Sequence, residues 1–224
     1  MKTAKMEVTL IQHCGSDLSV VNAARVSFSK ESSWWCDEGV PVEGMLSTKD
    51  EKLINYLARH KHHSPFNHAF LSFRVKAPIF VARQLVKHKF LPWNEVSRRY
   101  VDEEPEFYFP DYWRAKAENV KQGSSDEAVE SWLFSDPENV TDNALFAYQT
   151  MLKAGVCPEQ ARMVLPQNTM TEWYWSGTLG AFLDMLVLRL DNHTQKETRE
   201  VAQMIANEVK LLFPASYEAY LGER

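Results

Sequence analysis

An α+β layout in a single domain is predicted by two strand patterns and by the helix signals around them. Ala69, Leu71, Phe73, Val75 and Ala77 alternate with Ser72, Arg74 and Lys76, the period of a strand with one buried face. Thr169, Thr171, Trp173 and Trp175 alternate with Met170, Glu172 and Tyr174 in a second such pattern. The chain has 224 residues, 45% of them hydrophobic and 25% charged, which is ordinary globular usage. At about one and a half times the ~150-residue domain prior, one catalytic-sized domain over residues 1–224 is expected rather than two small ones. Its core should form without disulfides or structural metal.

In chain order, residues 6–12 read as a strand, and Ser16 and Asp17 offer N-caps for a helix with Leu18, Val21 and Ala24 on one side. Residues 29–47 hold Ser, Gly, Pro, acids and the Trp34-Trp35 pair without a period, which reads as a loop or lid. The Trp pair suits packing better than stacking on a ligand. Thr48 and Glu51 form a capping-box pattern ahead of Leu53, Ile54, Leu57 and Ala58, so a helix is expected there, ending in a histidine-rich turn at 60–68. Pro78 sits at the first position of a helix expected to run to Lys89. A strand is expected at 106–109 and a variable excursion over 115–140, then helices at about 141–154 and 158–164. Ser176-Gly177-Thr178 reads as a turn into an apolar helix at 179–190, and a last helix runs from about Thr194 to Phe213, stopped by Pro214.

Twenty-five Lys and Arg against 30 Asp and Glu give a net charge of −5, which argues against global attraction to nucleic acid or acidic membrane. No run of 18 apolar residues occurs and the N-terminus has no signal core, so neither export nor membrane insertion is expected. Cys14, Cys36 and Cys157 are odd in number and far apart, which fits reduced thiols in the cytoplasm.

Polar chemistry concentrates between His60 and Tyr100. Four histidines fall within residues 60–68, but no nearby Cys or acid completes a ligand set and the i,i+4 spacing of a helical zinc pair is missing. No metal site is therefore expected, with a histidine-rich metallohydrolase a distant third reading. Arg83 and Lys87 would share a helix face, followed by His88, Lys89, Asn94, Glu95, Ser97, Arg98 and Arg99. Guanidinium forks, a hydroxyl and acceptors at close spacing suit an anionic, hydrogen-bonding ligand such as a nucleotide. The alternatives are a solvated basic face, or a nucleic-acid-binding module using 83–100 with Trp93 and Tyr100 for stacking.

Lys87-His88-Lys89, seven residues and then Ser97 resembles the RHR-x7-S signature of the flavin-dependent thymidylate synthases, with Lys for both arginines. Asn22 to Phe28, His62 to His68, Phe73 to Gln84, Asn94 to Tyr100, Ala161 to Pro166 and Leu188 to His193 are similar to further blocks of that family, in its order. The resemblance spans nearly the whole chain, weakest at 29–47 and 111–140. It implies a mixed, mainly antiparallel sheet packed with helices, and a homotetramer with active sites where subunits meet. It also implies a methyltransferase that converts dUMP to dTMP with FAD, NADPH and 5,10-methylenetetrahydrofolate. The implied FAD contacts are Ser64, Lys87, His88, Lys89, Glu95, Thr178, Gly180 and Asp184, with His62 and His193 approaching the flavin. Those to dUMP are Gln84, Lys87, Glu95, Ser97, Arg98, Arg99, Arg162 and Arg189.

Arg189 is the implied catalytic residue. A guanidinium against the uracil edge stabilises negative charge as C5 becomes nucleophilic; the competing reading is an ion pair with Asp191 at a helix end. Ser97 reads as a ligand hydrogen-bonder rather than a nucleophile, because no base adjoins it in sequence. None of the three cysteines lies in a matched block, so a thiolate nucleophile is not expected. The chain departs from the family pattern at Lys87 and Lys89, at Asn67 where an acid often stands, and at Thr178 and Gly180 where some members have Asn and Arg.

Overall fold

The computed structural model describes residues 1–37, 40–42, 44–101, 103–118, 123–130 and 134–222. Two short strands, β1 (Lys2–Thr3) and β2 (Glu7–Cys14), lead into helix α1 (Asp17–Arg25). A small hairpin of β3 (Cys36–Asp37) and β4 (Val40–Pro41) precedes α2 (Thr48–Arg59). Then come β5 (Phe70–Pro78), α3 (Ile79–Leu85), β6 (Trp93–Glu95) and β7 (Glu106–Phe107). A second hairpin, β8 (Arg114–Lys116) and β9 (Ser124–Ala128), is followed by α4 (Pro137–Lys153) and α5 (Pro158–Ala161). The chain finishes with β10 (Met170–Thr178), α6 (Leu179–Arg189), α7 (Lys196–Leu212) and α8 (Pro214–Leu221).

The central sheet has four antiparallel strands in the order β2-β5-β10-β6. Its register explains the two period-2 patterns: Val8, Val75 and Trp173 form one cross-strand row, and Leu10, Phe73 and Trp175 the next. The helices cover that apolar face, and Phe182 of α6 packs edge-on against Phe73 at 5.1 Å and Trp175 at 5.5 Å. Ser72, Arg74 and Lys76 take the other side of β5, where Arg74 donates to Glu172 across the sheet at 2.6 Å. One large cluster of buried residues joins the sheet to α1, α2, α6, α7 and α8, and a smaller one packs Phe107 and Ala161 against α4. Both long strands end directly in helices, and because the strands are antiparallel α3 and α6 start at opposite ends of the pair and meet at their C-terminal ends.

Several expected boundaries differ. The helix after Pro78 stops at Leu85 rather than Lys89, because His88 N bonds Leu85 O and the Gln84 carbonyl is taken by Arg189. The cap of α2 is Ser47, not Thr48. Ser47 Oγ accepts from Asp50 N and donates to Asp50 Oδ2 at 2.7 Å, so the reciprocal pair lies one residue earlier than expected. Pro214 stops α7 but also opens α8, which the sequence reading omitted. Asp17 caps α8 by accepting from Ala215 N and Ser216 N at 2.8 and 3.0 Å, and burial pushes its carboxyl up despite these bonds. Residues 176–178 continue β10 rather than turning, α4 begins at Pro137 rather than 141, and 162–164 form a 3₁₀ turn after α5. Residues 106–107 pair with β1 in parallel and not with the central sheet.

The 29–47 stretch is tied down at its start. Ser32 exchanges hydrogen bonds with the Asn22 side chain and donates to Asp50, which also receives Arg25. Trp34 packs against the core, and Trp35 is 41% exposed. Cys14, Cys36 and Cys157 are free and exposed, and among the described residues no helix is long and apolar enough to cross a membrane.

Candidate active site

Arg189 is the last residue of α6, and the β5–β10 pairing sets that helix beside α3. Its Nε donates to His88 Nε2 at 2.8 Å and its Nη2 to the Gln84 carbonyl at 3.1 Å. The ion pair with Asp191 does not form. Asp191 instead accepts from His193 N at 2.8 Å and lies 2.9 Å from His193 Nδ1, and these bonds hold its carboxyl below the usual range. His88 is half-buried against Trp175, and burial, aided by the Arg189 charge, pushes its imidazole down to about 4. Because Nε2 accepts from a guanidinium, the neutral ring carries its proton on Nδ1.

Arg189 borders a cavity of about 710 Å³ that Arg83, Gln84, Lys87, Asp191 and His193 also line, together with Arg114, Ser124 and Gln195. Among the described residues, four guanidinium or ammonium groups and one acid, Asp191, line it. That donor set fits an anionic, phosphate-bearing ligand such as a nucleotide or a dinucleotide cofactor.

A second cluster lies at the start of α6, facing the turn Ser64–His68. Thr178 Oγ caps α6 by accepting from Ala181 N and donates to Asn67 Oδ1 at 2.8 Å. A Cβ on Gly180 would come within 2.7 Å of that same Asn67 oxygen, so Asn67, Thr178 and Gly180 form one fitted unit. Three of the five positions that depart from the family pattern thus lie together, Thr178 bonded to Asn67 and Gly180 adjacent. Asp184, its carboxyl pushed up by burial, lies 3.9 Å from His63 Nδ1, which in turn is 3.2 Å from the Tyr220 hydroxyl. His62 and Ser64 are exposed on this turn, as are Lys87 and Lys89 beside the first cluster.

The remaining sequence-predicted residues fall elsewhere on the chain. Glu95 sits on β6, accepting from Thr171 Oγ at 2.6 Å and from Trp93 Nε1 at 3.1 Å. Past it, Ser97 Oγ accepts from Arg99 Nε at 3.2 Å, and Arg98 donates to the Glu103 carbonyl at 2.9 Å. Arg162 is exposed after α5. None of Ser97, Arg98, Arg99 and Arg162 lines the basic cavity. Trp93, the stacking residue of the nucleic-acid alternative, is itself stacked on Trp173 with ring centroids 4.1 Å apart. Among the described residues no group of three or more His, Cys, Asp or Glu is placed to hold a metal ion.

Arg114 and Gln195 of the basic cavity, and Glu197 that bonds both, are not marked as site residues by the sequence. Arg114 lies in the aperiodic stretch before the variable excursion, and Gln195 and Glu197 look like ordinary helix-start polar residues. No sequence signal pairs Arg114 with Glu197, which are 83 positions apart and become a nearly buried ion pair only in the fold.

A model of the family described as thymidylate synthase complementing protein matches residues 9–215. A flavin-dependent thymidylate synthase of Thermosipho africanus is 37% identical over 215 residues, covering 95% of this chain and 89% of the relative. One from Thermus thermophilus is 39% identical over 214 residues, covering 95% and 74%. Among solved structures, a UMP/dUMP methylase of Streptomyces cacaoi bound with 5-Br dUMP superposes with a TM-score of 0.82 at 31% identity. It covers 98% of this chain and 96% of that one.

Proposed function

The chain belongs to the flavin-dependent thymidylate synthase family, and from that premise we propose how its residues turn dUMP into dTMP. The protein is a methyltransferase using a flavin. Our finer reading is that the flavin is FAD, reduced by NADPH, that 5,10-methylenetetrahydrofolate donates the carbon, and that residues 1–224 act as one catalytic domain in the cytoplasm. The observation that carries the reading is Arg189, a half-buried guanidinium held on two sides at the edge of a basic cavity.

The Nε–H and one Nη2–H of Arg189 are engaged by His88 and Gln84, so the rest of the fork is left for a ligand. Placed against the uracil edge, it stabilises the ring after loss of the N3 proton and the enolate charge that builds as C5 attacks the carbon donor. Burial around Arg189 lowers the local dielectric, which strengthens this interaction and also depresses the guanidinium's own pKa. Arg83 and Lys87 supply charge for a phosphate in the same cavity. The Ser64–His68 turn with Thr178, Gly180 and Asp184 offers hydroxyl, amide and backbone groups to the cofactor, and Ser97 with Arg99 offers a hydroxyl and a fork to the dUMP phosphate. When bound, the flavin supplies the hydride that reduces the transferred carbon to a methyl group.

Since Ser97, Arg99 and Arg162 lie away from Arg189 in one chain, we take the complete site to be assembled from several copies, as a homotetramer. Omitting components one at a time tests the whole reading. dTMP should form only with FAD, NADPH, methylenetetrahydrofolate and dUMP together, and a colourless protein inactive even after FAD is added would contradict it.

A further inference from the structure

We infer that Glu197 and Arg114 are positioning residues for Arg189, acting through a directional chain of side chains; this rests on the role given to Arg189 above. Arg114 of β8 and Glu197 in the first turn of α7 form an ion pair at 2.8 Å with side chains 13% and 6% exposed. Arg114 Nε also donates to Ser124 Oγ at 2.7 Å. Desolvating two charges offsets most of their mutual attraction, so stability alone is a weak reason to bury such a pair.

The pair has a directional consequence. A carboxylate only accepts hydrogen bonds, and while Glu197 Oε1 takes Arg114, Oε2 takes Gln195 Nε2 at 3.0 Å. That turns the Gln195 amide so its oxygen faces Gln84, whose Nε2 donates to it at 2.5 Å. An acceptor-only group at the head of the chain therefore sets the sense of both amides. Gln84 is also the residue whose main-chain oxygen accepts from Arg189 Nη2 at 3.1 Å. Its carbonyl is available because α3 ends one residue later and His88 N turns to Leu85 O, leaving an orphan last-turn acceptor. The start of α7 thus pins the end of α3 from one side, and the end of α3 holds the guanidinium. His88 fixes its Nε edge.

Two variants of the full-length, FAD-loaded protein test this. Glu197→Gln keeps the shape but gives the chain a head group that can donate, which frees the sense of both amides. Gln195→Met cuts the chain while leaving the Arg114–Glu197 pair intact. Each should lower kcat about tenfold, the scale of one misaligned hydrogen bond, with FAD still bound. The KM for dUMP should stay within about twofold, since the interaction lost matters in the transition state. The Arg189 Nε–H resonance, identified by its absence in Arg189→Lys, should exchange with solvent faster in both variants. In an Arg189→Ala background neither change should lower the rate further. An additive loss there, or unchanged kcat and exchange in a folded Gln195→Met protein, overturns the relay even if Arg189→Ala abolishes turnover. Normal turnover in Arg189→Ala instead removes the role of Arg189 itself and the inference with it. Should Glu197→Gln fail to fold, Gln195→Met decides alone.

Discussion

Arg189 and His88 share one hydrogen bond across 101 positions of sequence, and the guanidinium charge adds to burial in keeping the imidazole neutral. If the guanidinium stabilises charge that appears only as the ring turns nucleophilic, removing it lowers turnover more than binding. Arg189→Ala should lose on the order of a hundredfold in single-turnover methyl transfer with pre-reduced enzyme, and Arg189→Lys should recover little, because a point charge cannot replace a planar fork. A near wild-type rate in folded, FAD-bound Arg189→Ala protein would take Arg189 out of the chemistry. His88 gives a pH signature. Its folded pKa of about 4 lies below the ordinary 6.5, so the unfolded chain binds the extra proton first and stability falls as pH drops from 6.5 toward 4. Thermal unfolding of His88→Gln across that window should show a shallower fall than the parent, and an identical slope would mean that His88 is charged in the fold. The place of Arg189 at the end of an apolar helix is legible in the sequence. Its partner is not, because Asp191 is near in sequence whereas His88 and Gln84 become neighbours only when β5 and β10 pair.

At the level of elements, local signals worked where the partner was local. The alternating apolar residues of β5 and β10 specify one buried face because their period acts within a few residues, and Pro78 announces α3 but as its extended N-cap rather than at the first helical position expected. Ends set by distant groups were missed: Asp17 caps α8 from 198 residues away, and Arg189 helps to end α3 by occupying the Gln84 carbonyl. Strand β6 was invisible since its three residues are too few to show a period; they form a strand by pairing with Trp173, Tyr174 and Trp175. Asp50 shows what such long-range anchoring is worth. It gathers Ser47, Arg25 and Ser32, joining α2 to α1 and to the base of the 29–47 loop. Burial works to raise its carboxyl, but these hydrogen bonds prevail and the pKa is lowered. The sign follows from that direction: the unfolded carboxylate protonates first, so the stabilisation is present above pH 4 and fades as pH falls through the folded value. Asp50→Asn leaves Arg25 without its carboxylate and should cost about 3 kcal/mol in denaturant unfolding. It should also speed proteolysis within 29–47, and unchanged midpoint and cleavage would show that the loop is anchored otherwise.

Across the whole molecule, one chain presents the proposed site in separate pieces. The basic cavity at the ends of α3 and α6 is intact, while Ser97 with Arg99 and the exposed Arg162 stand apart from it. Ordered motif blocks made the family legible from sequence, but no periodicity within a chain encodes how copies meet. If those pieces come from different copies, mixing inactive Arg99→Ala and Arg189→Ala proteins and letting them exchange subunits should restore activity, because some sites regain both arginines. No recovery after exchange would place both in one chain's site. The central claim is that the carbon is transferred and reduced without a cysteine nucleophile, the flavin providing the hydride. Cys14, Cys36 and Cys157 are free, exposed thiols, and none lines the cavity around Arg189. The most direct measurement is dTMP formation by the variant carrying Cys14→Ala, Cys36→Ala and Cys157→Ala together, loaded with FAD and given dUMP, NADPH and methylenetetrahydrofolate. Turnover close to that of the parent, dependent on FAD, is the predicted result; a folded, flavin-bound triple variant that binds dUMP but makes no dTMP would contradict it.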